Sequence, residues 1–216
     1  MYVRPSFGMI TPAIKNLILA NVAVFLMQIL FPQLVNAWVF GVVPSQILNN
    51  FFIWQPVTYM FLHSPTGFGH IFFNMFALWM FGTELERTWG TKEFLRYYFL
   101  TGVIAGVSIF LWNLFSGVNV PTIGASGAIF GILIAFALFF PDRYIYLWFL
   151  LPIKAKYFVL FFGLLEFLML PSSDGISHIG HLGGMVAGFF YLRHYYRHWG
   201  IGQDFFRNFF KKKDLF

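Results

Sequence analysis

Ser126 lies in the glycine cluster Gly124-Ala125-Ser126-Gly127, and His181 heads a later glycine series with Gly184 and Gly188. A serine hydroxyl is a weak nucleophile and needs an adjacent base. Histidine titrates near neutrality and suits that role. Acyl transfer also needs donors for the developing oxyanion. Ser126 near a helix start brings backbone N–H groups that the helix leaves unpaired. His70 and Asn74 are four apart, so on a helix both side chains can face one oxygen. No acidic residue lies close to His181 in sequence: Asp174 is seven residues earlier, in an expected loop. The chemistry these residues suggest is serine acyl transfer through a Ser–His dyad.

The segments that must position them are apolar. The chain is 59% hydrophobic, 23% aromatic and 10% charged, whereas a soluble domain carries about a quarter charged residues. A membrane protein is expected. There is no cysteine, so thiol chemistry, disulfides and thiolate metal sites are excluded. A span needs about 20 mostly apolar residues. Six candidates are 12–32, 67–86, 93–115, 123–141, 155–171 and 176–195. The expected fold is an all-α membrane protein, with six transmembrane helices and a long interfacial first loop. That loop, Gln33 to Pro65, holds Trp38, Phe40, Phe51, Phe52 and Trp54 with no Lys, Arg, Asp or Glu; such composition favours the bilayer interface. Tyr144 to Pro152 is apolar but too short to span, and reads as an interfacial connection. Three parts follow: a cytoplasmic N-terminus over 1–11, a six-helix domain over 12–197 and a basic tail over 198–216. Val35-Asn36-Ala37 is a weak small-x-small site, but the apolar run before it is long enough to remain as a span.

The net charge of +6 raises nucleic acid as a partner, but its distribution points to lipid instead. All 14 Lys and Arg fall in four regions: Arg4 and Lys15; Arg87, Lys92 and Arg96; Arg143, Lys154 and Lys156; and the C-terminal region. Six spans put those regions on one face, which the positive-inside rule makes cytoplasmic. With both termini inside, the second, fourth and sixth helices start at the outer face. His70, Asn74, Ser126 and His181 then lie at one depth, roughly 5–10 Å below the outer boundary. Gly124, Gly127 and Gly131 share the spacing of His181, Gly184 and Gly188. Each set makes one helix face, and small faces let helices approach closely in lipid. Packing alone accounts for one such stripe; two matched stripes, one beside a serine and one headed by a histidine, favour a shared site.

These motifs together resemble the rhomboid intramembrane serine proteases. Gly-x-Ser-Gly, a later His-x-x-Gly-x-x-x-Gly and an earlier His-x-x-x-Asn occur in the family's order, across about residues 10–197. The resemblance implies a six-helix rhomboid architecture, Ser126 as nucleophile and His181 as base. It implies an oxyanion hole of His70, Asn74 and the Ser126 backbone, transmembrane helices as substrates unwinding near the outer face, and no metal or cofactor. The sequence departs at three places. Trp54-Gln55 stands where the family often has Trp-Arg, and that arginine helps anchor the first loop. Phe130 stands where many members have a tyrosine that stacks on the base. Gly180 replaces a common alanine.

Other polar residues have blander readings. His178 reads as a loop-end histidine bonded to a neighbour, and His63 as satisfying loop carbonyls. Glu84, Glu86 and Arg87 read as a solvated cytoplasmic cluster. Glu166, the only acid well inside a span, is either a carboxyl pairing with a neighbouring helix or a residue at a substrate gate. A metal site built on His63, His70, His178 and His181 has no nearby carboxylate or cysteine in sequence and is not expected. The expected protein is therefore a multi-pass endopeptidase of transmembrane substrates in a bacterial inner membrane, with lipid and substrate helices as partners. A non-catalytic rhomboid-like binder of membrane helices would typically lack the serine or the histidine, and this chain keeps both. A transporter would place its site at the midplane between repeats, which the chain does not display.

Overall fold

The structure, a computed structural model, describes residues 10–147, 151–172 and 175–195. Arg4, Asp174 and the basic tail 198–216 lie outside the described residues. The chain begins with α1 (Pro12–Leu30), followed by three short helices, α2 (Ala37–Phe40), α3 (Pro44–Asn50) and α4 (Gln55–Thr58). A long helical run comprises α5 (Phe68–Ala77), one π turn over Leu78–Gly82 and α6 (Thr83–Trp89). After it come α7 (Thr91–Phe115), α8 (Ser126–Phe139), the strands β1 (Tyr144–Leu147) and β2 (Leu151–Lys154), α9 (Ala155–Leu168) and α10 (His178–Tyr195). Of these, α1 and α7 are each long and apolar enough to cross a membrane.

Three sequence expectations change. The segment after α8 is an antiparallel hairpin, with Tyr144 opposite Lys154 and Leu147 opposite Leu151, so the fold is mostly rather than wholly helical. Alternating β-branched and aromatic residues favour that pleat. Next, the helices over 123–141 and 155–171 are shorter than expected, at 14 residues each. That length reaches roughly 21 Å, against about 30 Å of hydrocarbon. α8 starts late because Gly124 has φ of 130°, a conformation glycine tolerates and helices exclude.

The third change concerns Glu86. It is buried at 3% exposure, not solvated. The Ala13 and Ile14 N–H groups donate to its two carboxylate oxygens at 2.9 and 3.1 Å, and the Thr91 hydroxyl donates to it at 2.7 Å. The first N–H groups of a helix lack internal partners, and α1 also opens on Pro12. A carboxylate from α6 supplies what the local sequence does not, where the helix dipole favours an anion. Glu86→Ala orphans two buried donors and is expected to cost about 1–3 kcal/mol. Thermal unfolding in detergent measures it; an unchanged midpoint would rule out the cap.

The first loop is anchored despite its missing arginine. Gln55 is fully buried. Its Oε1 accepts from the Val43 N–H at 2.9 Å, and its Nε2 donates to the Trp38 and Val39 carbonyls at 2.9 and 3.3 Å. Trp38, Phe51, Ile53 and Trp54 remain exposed, an apolar skin suited to an interface. The loop also holds the approach to α8. Val42 and Thr122 exchange two backbone hydrogen bonds at 2.9 and 3.0 Å, and the Gly124 N–H donates to the Tyr59 carbonyl at 2.9 Å.

α7, α8 and α10 form the centre. A Cβ added at Gly184 would lie 1.9 Å from the Gly127 carbonyl oxygen, so α8 and α10 touch backbone to backbone there. The other stripe glycines serve α7: a Cβ at Gly131 would meet Thr101 at 2.7 Å, and one at Gly188 the Tyr97 hydroxyl at 2.2 Å. That hydroxyl donates to the Gly131 carbonyl at 2.6 Å.

Candidate active site

Ser126 is the first residue of α8 and His181 lies in the first turn of α10. The glycine crossing brings these helix starts together, and His181 Nε2 lies 2.7 Å from Ser126 Oγ. That is hydrogen-bond distance between a nucleophile and a base. Phe130, one turn along α8, stacks on the imidazole with centroids 4.2 Å apart and planes 9° from parallel. It fixes the ring's plane while leaving the ring edges to polar partners. Stacking of this kind contributes about 0.5–1.5 kcal/mol. Phe130→Ala is therefore expected to lower kcat roughly three- to tenfold, and Phe130→Tyr to leave it nearly unchanged. Steady-state cleavage of one substrate by both variants checks this; an alanine variant as active as wild type would refute the stacking role.

Ser126 and His181 open into a cavity of about 870 Å³, also lined by Ser64, His70, Gly124, Ser172 and His178. Hydrolysis needs water, and non-helical backbone at membrane depth is tolerated where it lines a wet cavity. The non-helical stretch before Ser126 lines this cavity through Pro121, Thr122, Ile123 and Gly124.

His70 faces this cavity. The Ser64 N–H donates to its Nδ1 at 3.3 Å, so in the neutral ring the proton sits on Nε2. A Cβ at Gly124 would lie 2.8 Å from that Nε2. Only glycine leaves room for an N–H to point past residue 124 toward the serine. Asn74 behaves differently. Its amide donates to the His70 carbonyl at 2.8 Å, and it sits one turn behind the cavity rather than in its lining. The structure thus brings Ser126, His181 and His70 to one space and leaves Asn74 at the back of it. His63 is buried and packs edge-on to His70 at 5.0 Å.

An acid the sequence does not associate with the base lies beside it. Glu166 of α9 places Oε2 2.9 Å from His181 Nδ1 and 2.6 Å from His178 Nδ1. The His178 contact is a hydrogen bond, and His178 Nε2 pairs with Ser172 Oγ at 3.0 Å. At His181 Nδ1 the approach is close, but no straight hydrogen bond forms; it is an electrostatic contact in this arrangement. A signal for it exists in sequence. Glu166 lies near the end of α9 and His181 near the start of α10, so consecutive antiparallel helices set them at one depth. These three residues also offer metal-ligand atoms within 4.8 Å of one another. Ligand atoms around a tetrahedral zinc stand roughly 3.3 Å apart; the separations here are shorter, a 2.6 Å hydrogen bond at His178 and a 2.9 Å electrostatic contact at His181.

A family model described as "Rhomboid domain" matches residues 50–198. The chain is 33% identical over 151 residues to "Rhomboid protease GluP" of Bacillus subtilis, covering 70% of this chain and 28% of that protein. It is 31% identical over 190 residues to "Rhomboid protein 1, mitochondrial" of Saccharomyces cerevisiae, covering 82% and 52%. It is 31% identical over 140 residues to "Putative rhomboid protease YdcA" of Bacillus subtilis, covering 63% and 64%. The chain thus spans less than two thirds of the length of each of these relatives.

Proposed function

The chain belongs to the rhomboid family, an integral membrane family with named proteases among these relatives, and on that footing we propose that it is an intramembrane serine endopeptidase. It cleaves transmembrane helices of other membrane proteins near the outer face. The observation that carries this reading is the 2.7 Å contact between Ser126 Oγ and His181 Nε2 at the wall of the cavity. Ser126 attacks the scissile carbonyl, and its proton passes to His181 Nε2. The oxyanion is met by backbone N–H groups at the start of α8 and by His70 Nε2–H, with Asn74 supporting His70 from behind. The imidazolium returns the proton to the leaving amine, and water repeats the cycle on the acyl-enzyme.

Six crossings with both termini cytoplasmic give the topology we propose, in a bacterial plasma membrane. Support comes from the confinement of Lys and Arg to alternate connections. Local thinning of the bilayer accommodates the short α8 and α9 and draws water toward the serine. No cofactor enters the reaction. The test is direct: purified protein in liposomes with a single-span substrate whose outer end is tagged. Two fragments with a cut near the outer boundary are expected. An intact substrate at matched orientation would refute the proposal.

A further inference from the structure

We propose that Glu166 is a positioning residue for the base, making the catalytic unit Ser126, His181 and Glu166, with His178 holding the acid in place. This rests on the reading of Ser126 and His181 as nucleophile and base. The three groups lie in series: Glu166 Oε2 is 2.9 Å from His181 Nδ1, and the opposite ring nitrogen is 2.7 Å from Ser126 Oγ. A carboxylate oxygen beside Nδ1 favours the tautomer with its proton there. Nε2 then keeps its lone pair for the serine, as the base requires.

Burial makes the arrangement costly unless it is paired. Glu166 is 8% exposed on a helix of apolar residues, where an isolated charge is strongly disfavoured. Among the described residues its ion-pair partners are the two histidines. The His178 contact is the shorter and straighter one, and Ser172 fixes the far nitrogen of that ring. His178 therefore fixes where the carboxylate sits, and the carboxylate faces His181. The spacing of the two histidines, three apart on α10, lets both reach one oxygen.

The proton bookkeeping closes without Glu166 becoming an acid. In acylation the Oγ–carbonyl bond forms as the Oγ–H proton moves to His181 Nε2. The amide C–N bond then breaks as that proton moves to the leaving amine. Between these events His181 is an imidazolium, and Glu166 Oε2 stabilises its charge. Water supplies the proton and nucleophile for the second round.

The experiment compares wild type, Glu166→Gln and Glu166→Asp in liposomes, recording kcat, KM, thermal midpoint and the rate of fluorophosphonate labelling. Neutralising the acid of a full triad costs about 10⁴ in kcat. The off-line contact at Nδ1 sets the expectation lower, at roughly 10²-fold for Glu166→Gln, with labelling slowed in parallel. KM and the midpoint should stay near wild type. Glu166→Asp keeps the charge at a greater distance and should recover much of the loss. A Glu166→Gln enzyme with wild-type kcat would overturn the proposal, as would losses that track the midpoint in both variants. Should Glu166→Gln fail to fold, Glu166→Ala and Glu166→Asp decide: a kcat low in alanine and largely restored in aspartate at unchanged KM supports the role, and equal kcat in the two overturns it. A wild type that neither cleaves nor labels would sink the protease reading itself, whereas a cleaving wild type matched by its variants sinks only the role of Glu166.

Discussion

Replacing Ser126 with alanine is expected to abolish cleavage while leaving a folded, membrane-inserted protein. The substitution removes one oxygen at the head of α8, two residues after the positive-φ Gly124. No packing atom is lost, since Ser126 Oγ faces the cavity and His181. What disappears is the hydroxyl paired with His181 Nε2, the group that would form the acyl-enzyme. In serine proteases such a deletion costs on the order of 10⁶ in kcat, because the remaining oxyanion donors have no covalent intermediate to stabilise. Paired measurements of cleavage and thermal midpoint separate the two effects. Cleavage within tenfold of wild type would remove Ser126 from the mechanism; a collapse of the midpoint would make it a structural residue.

Gly184→Leu is expected to produce the second large effect, and by a different route. Even a Cβ at this position would lie 1.9 Å from the Gly127 carbonyl oxygen, and that oxygen belongs to a helix backbone that cannot rotate away. Overpacking a core costs about 1–3 kcal/mol where side chains can yield; here the whole of α10 must move away from α8. Since those two helices carry His181 and Ser126, their 2.7 Å contact opens with them. Activity and thermal stability should fall together, in contrast to Ser126→Ala. Gly69→Ala is a fitting control, because a Cβ there meets nothing within 4 Å and alanine suits a helix better than glycine. A stable, active Gly184→Leu protein would show that α8 and α10 do not pack through this face.

The elements that position the chemistry are legible as apolar runs, and the glycine stripes mark which faces meet. Local spacing conveys that much because the requirement is local: a helix face needs small residues at fixed intervals. Contacts between distant segments were harder to foresee. Gln55 takes over loop anchoring through three backbone hydrogen bonds; the carbonyls it finds depend on how Ala37–Phe40 coils, which no motif announces. Glu86 reads as surface charge beside Glu84 and Arg87, yet it caps a helix more than 70 positions earlier in the chain. Glu166 carried a clear warning, a lone acid in an apolar span, but its partner became visible only when α9 and α10 were laid side by side. The pairing of β1 with β2 leaves no mark at membrane length, because strands of four residues are far shorter than a span. Asn74 shows the opposite limit. Sharing a helix face with His70 did not put its amide in the cavity, since the amide bonds to the carbonyl one turn back.

The central claim is that Ser126 is a nucleophile activated by His181. The most direct measurement is covalent labelling of the liposome-embedded protein by a fluorophosphonate, with the modified residue located by mass spectrometry. One adduct on Ser126 is expected in wild type, none in Ser126→Ala, and a labelling rate reduced by orders of magnitude in His181→Ala. Wild type that resists labelling at a site shown to be open, or a His181→Ala variant that labels at the wild-type rate, would contradict it.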